Sequence, residues 1–232
     1  MVKTNNIINE LRNINSQFLV NNKNGLKINN KNYKYKIGAN PIILSAPHAV
    51  KQCRNQNIKA SDYLTGALAI YLANKCNCSF MVRTFNDNDD PNFPLGYTLS
   101  QVDNDYLILL KKLVKFYSLF LVIDLHGCTN SKKYDCSLWH DNYKNCNIEI
   151  VKIFEDNFLE NGITVDHGRE YLGGQVTRQC SLITDAFQLE IKRKIRSLKI
   201  ENVDLLISFI NSMSDSIEKT STFVKKLQKG VK

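Results

Sequence analysis

Two rhythms of apolar and polar positions run along this chain. Apolar residues recur at helical spacing over residues 5–20, which predicts an amphipathic helix. Asn21-Asn-Lys-Asn-Gly25 reads as a turn. Residues 26–37 then alternate one by one, the pattern of an antiparallel hairpin with one wet face that turns at Asn29-Asn-Lys-Asn32. Two continuous apolar runs stand out further on, Pro41-Ile-Ile-Leu-Ser-Ala-Pro-His48 and Leu119-Phe-Leu-Val-Ile-Asp-Leu-His126-Gly127. Both read as buried strands. Between them the pattern predicts a helix over 65–74 capped by Ser61-Asp62, a short strand at 80–85, a polar loop at 86–92 and a helix over 102–117. Beyond them come a strand at 137–139, a helix over 147–159, a strand at 163–165, a loop centred on Gly173-Gly174 and a strand at 186–191. A closing helix over 203–227 sets Leu205, Leu206, Phe209, Ile210, Met213, Ile217, Phe223 and Leu227 on one face.

Strands alternating with helices predict an α/β fold with a mostly parallel sheet covered on both faces. No Pro/Gly/Ser-rich linker or internal repeat divides the chain. Its 232 residues suffice for one substantial core, so one domain is expected, with 1–38 as an N-terminal helix-and-hairpin extension and 202–232 as closing helix and basic tail. No apolar run is long enough for a membrane span, and the start lacks the apolar segment of a signal peptide. The seven cysteines are odd in number and scattered, as suits reduced thiols in the cytoplasm, and Cys76-Asn-Cys78 has neither redox nor zinc-knuckle spacing. The net charge of +9 is concentrated in Lys192-Arg-Lys-Ile-Arg196 and the tail 225–232. No RNA-binding or helix-turn-helix signature accompanies it. It is read as a solvated helix face and a frayed tail, and no nucleic acid or membrane partner is expected.

The chemistry lies where the two apolar runs end. Each places a histidine at the C-terminal end of a strand, which is where open α/β sheets bind their ligands, and neutral imidazole is the commonest metal ligand. A catalytic zinc takes three protein ligands and keeps one position open. His48 and His126 supply two. An HxxE spacing would put the third at Lys51, which cannot ligate while charged. Asp62 is the first choice instead, at a helix N-terminus whose free amides could orient it, with His140, His167 and Asp90 in reserve. Asp124 shares a strand face with His126 and is expected to orient that ring through its second nitrogen. Glu190 is a carboxylate embedded in the apolar strand 186–191, a candidate general base. The same pattern also fits an amphipathic strand with Gln188 and Glu190 on a wet face. Arg54, Arg83 and Arg178 are candidates for clamping a substrate carboxylate.

Four short motifs follow in order: Ala46-Pro-His48, Val122-Ile-Asp-Leu-His-Gly127, Gly173-Gly-Gln-Val-Thr-Arg178 and Phe187-Gln-Leu-Glu-Ile191. Together, over roughly residues 41–196, they resemble the N-formylglutamate amidohydrolase family and, more loosely, zinc carboxypeptidases and phage poly-γ-glutamate hydrolases. The resemblance implies a three-layer αβα sandwich of the phosphorylase/hydrolase type with a mixed, mostly parallel sheet. It further implies one zinc ion and hydrolysis of an amide in a small acidic, N-acyl-glutamate-like or peptide substrate. His48, His126 and a carboxylate such as Asp62 become the zinc ligands, Glu190 the base, and Arg178 or Arg83 the group that steadies the oxyanion. Arg54, Arg178, Gly174 and Gln188 line the expected substrate pocket. The chain departs from the pattern at Ala49-Val50, where the family carries two small residues, and at 90–92, where the family's arginine is missing. Two rival readings share the fold: a peptidase for γ-glutamyl or C-terminal peptide bonds, and a degenerate member kept for binding.

Overall fold

Side chains alternate between the two faces of the central strands, and each face carries buried apolar residues, so the sheet needs cover above and below. The computed structural model describes residues 2–92, 104–168 and 173–230; the expected first residues of the 102–117 helix and the end of the basic tail lie outside these. In chain order the elements are α1 (Val2–Lys23), β1 (Tyr33–Lys36), β2 (Asn40–Ala46), β3 (Gln52–Arg54), β4 (Asn57–Lys59), α2 (Thr65–Lys75) and β5 (Cys78–Arg83). They continue with α3 (Asp105–Phe116), β6 (Leu121–Cys128), β7 (Cys136–Trp139), α4 (Ile148–Glu160), β8 (Val165–Asp166), α5 (Gln175–Cys180), β9 (Asp185–Lys192) and α6 (Val203–Gly230). The main sheet has seven strands in the order β1-β5-β2-β6-β9-β7-β8. Strands β5, β2, β6 and β9 are parallel, β1 and β7 are antiparallel to their inner neighbours, and β8 runs parallel to β7. This is a three-layer α/β sandwich with a mixed, mostly parallel sheet.

The two faces differ in a way that makes the site. Ile42, Leu44 and Ala46 of β2, Leu121, Ile123 and Leu125 of β6, and Phe187, Leu189 and Ile191 of β9 pack with α1, α2, α4 and α6 into the larger core. The opposite face carries Ile43, Val122 and Ala186 against α3 and α5. There the apolar residues stop halfway along the strands. Farther on, the same face carries Ser45, Asp124, His126, Gln188 and Glu190, and the register sets Asp124 beside Gln188 and His126 beside Glu190. Apolar cover over the lower half and polar groups over the upper half create a polar hollow at the strands' carboxyl ends.

Local sequence explains the starts of two helices. Asn104 caps α3 by accepting from the Leu107 N–H at 2.9 Å, and Asn147 caps α4 by accepting from the Glu149 N–H at 2.8 Å. Helix α6 buries Leu206, Phe209, Ile210, Met213 and Ile217 as expected, with Val224 rather than Leu227 completing the inner face. Three expectations need correction. The alternating stretch 26–37 does not close on itself: a single bridge joins Ile28 to Lys31, and β1 pairs with β5 instead. A two-stranded hairpin is marginal alone, whereas a sheet edge offers it a full ladder. Ser61-Asp62 does not cap α2, which is entered through Leu64 in a left-handed conformation with no side-chain cap. A six-residue helix, α5, follows Gly174 where a loop was expected. Among the described residues no helix is long and apolar enough to cross a membrane.

Candidate metal centre

His48 lies two residues beyond β2, His126 is on β6, and Asp62 is in the loop that leads to α2. The loop is drawn back to the sheet by the Asp62 N–H, which donates to the His48 carbonyl at 2.8 Å. Three donor atoms converge as a result. His48 Nδ1 and His126 Nδ1 are 3.0 Å apart, and Asp62 Oδ2 is 3.4 Å from the first and 3.5 Å from the second. One face of a coordination tetrahedron with bonds of about 2.0–2.1 Å has edges of about 3.3–3.4 Å. The triangle therefore has the size a zinc ion needs. Asp62 is oriented by the Gly127 N–H, 3.0 Å from Oδ2, rather than by the free amides of a helix.

The far side of each ring is held by a carboxylate. His48 Nε2 is 2.8 Å from Asp90 Oδ1, and His126 Nε2 is 2.9 Å from Asp124 Oδ2. An ionised carboxylate only accepts, so each Nε2 carries the proton and each Nδ1 lone pair is turned inward. The Asn92 amide nitrogen is also 3.2 Å from His126 Nε2, its oxygen being taken by the Val176 N–H at 2.9 Å. Asp90 is in turn paired with Arg54, and Asp124 accepts from Ser45 Oγ at 2.8 Å and Thr177 Oγ1 at 3.4 Å. Two lone pairs and a carboxylate oxygen facing one another at these distances repel unless a cation or proton lies between them.

The proton affinities follow from the same contacts. Burial pulls the imidazole of His126 down, but Asp124, then Asp62 and Glu190, carry it well above the ordinary value. Burial likewise lowers His48, and Asp90 and Asp62 outweigh it. Burial raises Asp62, yet its bonds to His126 and His48 hold it far below the usual carboxylate range. Asp90 is held low by His48 and Arg54 against its own burial. Without a metal the pocket thus retains protons that a metal displaces.

Glu190 stands beside His126 on the next strand. Gln188 fixes it: Gln188 Oε1 accepts from the Gly174 N–H at 2.7 Å, and Gln188 Nε2 donates to Glu190 Oε1 at 2.8 Å. Burial pushes the Glu190 carboxyl up, against the attraction of His126. A buried carboxyl with a raised proton affinity, beside a triangle that could hold a metal, can serve as a general base.

No protein-family model and no curated protein sequence matches the chain. Solved structures do. N-formylglutamate amidohydrolase from Ralstonia eutropha aligns with a TM-score of 0.63 and 14% identity, over 84% of this chain and 98% of that one. A bacteriophage poly-γ-glutamate hydrolase aligns at 0.57 and 12%, over 83% and 90%. A gene product of Agrobacterium tumefaciens aligns at 0.55 and 12%, over 82% and 96%. The chain shares the fold of N-formylglutamate amidohydrolase. It does so with few identical residues, and the likeness is one of architecture.

Set in this fold, the other candidates separate. Arg178 is exposed on α5, its guanidinium 5.4 Å from the ring of Trp139, and Trp139 is the register partner of Gln188. That places Arg178 at the rim of the hollow. Gly173, left-handed at φ +63°, lies flat on the same indole: a Cβ there would come within 2.1 Å of the ring. Arg54 reaches the hollow through Asp90 rather than as a clamp. Arg83 is drawn away. It is buried, donates to the Phe85 and Asp89 carbonyls and pairs with the Asp89 carboxylate, which ties it to the 85–89 loop. The reserves His140 and His167 form a separate chain, with His140 Nε2 3.3 Å from His167 Nδ1 and His167 Nε2 2.9 Å from Glu155. Asp90 is a partner of His48 and not a member of the triangle. The sequence reading missed Trp139 and Arg196. Arg196 belongs to no solvated helix face: it is buried directly behind the triangle.

Proposed function

We propose that this protein is a zinc-dependent amidohydrolase that cleaves an amide bond in a small acidic, N-acyl-glutamate-like substrate. The observation that carries the reading is the triangle of His48 Nδ1, Asp62 Oδ2 and His126 Nδ1, with Glu190 one strand away. His48, Asp62 and His126 would hold the ion, which when bound supplies a Lewis acid for the scissile carbonyl and for the attacking water. Asp90 and Asp124 keep the two rings in the tautomer that ligation requires. Glu190 takes a proton from the attacking water and returns it to the departing nitrogen; a raised pKa suits both halves of that task. Gln188 holds one Glu190 oxygen in place, so the other is turned to the water. Arg178, stacked on Trp139, would bind a substrate carboxylate at the rim. Hydrolysis of glutamyl amides named for two of the structural neighbours supports this choice of substrate class. The seven free thiols are in keeping with a reducing cytoplasm.

The test is direct. Metal content is measured on the purified protein and on His48→Ala and His126→Ala. N-formyl- and N-acetylglutamate are then offered beside γ-glutamyl dipeptides, with and without added zinc. The expected result is near-stoichiometric metal in the wild type alone and faster turnover of the N-acyl amino acids. Equal metal in all three proteins would remove the site. Turnover of the dipeptides alone would move the assignment to a γ-glutamyl peptidase.

A further inference from the structure

One buried cation in this molecule is used by backbone rather than by acid. Arg196 follows β9 and folds back behind the metal centre. Its Nε donates to the Ile191 carbonyl at 2.8 Å, Nη1 to the Tyr63 carbonyl at 2.6 Å and Nη2 to the Cys128 carbonyl at 3.2 Å. Each acceptor is a near neighbour in sequence of one working residue. Tyr63 follows Asp62, Cys128 is two beyond His126 and adjoins Gly127, and Ile191 follows Glu190. Among the described residues no carboxylate pairs with this guanidinium, although the charges of Asp62 and Glu190 act on it from nearby.

We infer that Arg196 is the positioning residue of the site, a single guanidinium that ties together the three backbone segments carrying Asp62, His126 and Glu190 and so sets the spacing between metal ligands and base. The inference rests on the function proposed above and deepens it. Three features of the geometry argue for this role over plain space filling. A guanidinium is costly to bury, and an apolar side chain of similar volume serves packing better where shape alone is needed. The planar fork reaches three carbonyls in three directions, which a lysine ammonium on a flexible stem cannot reproduce. Gly127, whose N–H orients Asp62, lies against the fork with no room to spare: a Cβ at 127 would be 2.3 Å from Arg196 Cζ. The fork bonds to carbonyls and leaves the oxygens of Asp62 and Glu190 uncaptured.

Three variants test this: Arg196→Met removes charge and tie, Arg196→Lys keeps the charge and loses the tie, and Gly127→Ala keeps the arginine and displaces it. The first readout is amide hydrogen exchange at Gly127 in metal-free protein, which reports the Asp62 contact whether or not the protein is an enzyme. The second is the visible spectrum of the cobalt(II)-substituted protein, which reports ligand geometry. The third is the division of any rate loss between kcat and KM. Expected are a position-127 amide at least about tenfold less protected in each variant, measured against the intrinsic rate of the residue present there, an altered cobalt spectrum, and kcat lower by about 10²-fold with KM within about threefold, the cost of a misplaced reacting group. If Arg196→Met fails to fold, the other two carry the test. Wild-type Gly127 protection together with an unchanged cobalt spectrum in the folded variants would overturn the inference. A wild type that binds no cobalt and turns over no substrate would sink the proposed function instead, and Gly127 exchange would still decide the role of Arg196.

Discussion

Replacing Asp124 with asparagine is the sharpest probe of how the metal centre is built. Asp124 Oδ1 accepts from Ser45 Oγ at 2.8 Å, and Oδ2 faces His126 Nε2 at 2.9 Å. In Asp124→Asn the amide oxygen stays with Ser45, which leaves the NH2 group facing the imidazole N–H. Two donors cannot share that contact. The ring must move its proton to Nδ1, where the cation belongs, or turn away. Losing a partner of this kind costs about 10–100-fold in metal affinity, or about 1.4–2.7 kcal/mol. At saturating zinc that difference passes in full to the stability of the folded state. For a chain of this size about 1 kcal/mol corresponds to about 2–4 °C in Tm, so zinc should raise the melting temperature of Asp124→Asn by about 3–11 °C less than it raises that of the wild type. The comparison is zinc-loaded against metal-free for each protein, which removes any cost to the apoprotein of disturbing the Ser45 and Thr177 hydroxyls. Scanning calorimetry gives the shifts, and competition with a chromogenic chelator in mildly alkaline buffer, where protons compete least, gives the affinities. Zinc affinity within threefold of wild type and an equal thermal shift would refute the reasoning.

Further outcomes are expected elsewhere. Glu190→Gln should keep the metal and lose about 10²–10⁴-fold in kcat; full turnover would assign the base wrongly. Asp135 accepts from Thr164 N and Oγ1 and pairs with Lys194, and these bonds hold its carboxyl below the ordinary value despite the opposing pull of burial. A lowered carboxyl stabilises the fold above its unfolded pKa of about 3.9 and loses that contribution as the pH falls through the folded value. Asp135→Asn should therefore be about 1 kcal/mol less stable than wild type near neutrality and equal to it in strong acid; a difference that grows on acidification would contradict this. Cys53 is half-buried, whereas the other six thiols are buried. One equivalent of thiol should react quickly with a disulfide reagent in the native protein, and Cys53→Ser should abolish that phase.

Much of this site is legible in the chain because it lies on regular strands. Two-residue alternation is enough to put Asp124 with His126 and Gln188 with Glu190, and the apolar runs announce where β2 and β6 end. The loops obey no such rule. Asp90 looks like a spare ligand until the 86–92 segment is folded, when its carboxylate meets the far nitrogen of His48 and the side chain of Arg54. Arg83 looks like a clamp at a strand end, yet the Asp89 carboxylate six residues on, in the loop that follows, captures it. Arg196 is hidden by its neighbours: amid Lys192-Arg-Lys-Ile-Arg196 it has the composition of a wet helix face, and only the meeting of three distant carbonyls explains its burial. Local signals also mislead when a tertiary partner is better. The alternation at 26–37 specifies an extended strand but not that β5 will be its mate. The β3–β4 hairpin turns at Asn55-Gln56, both left-handed, without the glycine that usually marks such a turn.

The rims of the main sheet bear on how a substrate can arrive. One rim is β1, Tyr-Lys-Tyr-Lys, four residues with a charge at every second position; the other is β8, only two residues long. Neither invites an extended peptide to zip alongside, since lysines and brevity both blunt strand addition. Neither rim is thus a docking edge for a peptide, and the polar hollow at the carboxyl ends of β2, β6 and β9 is approached from above the crest of the sheet.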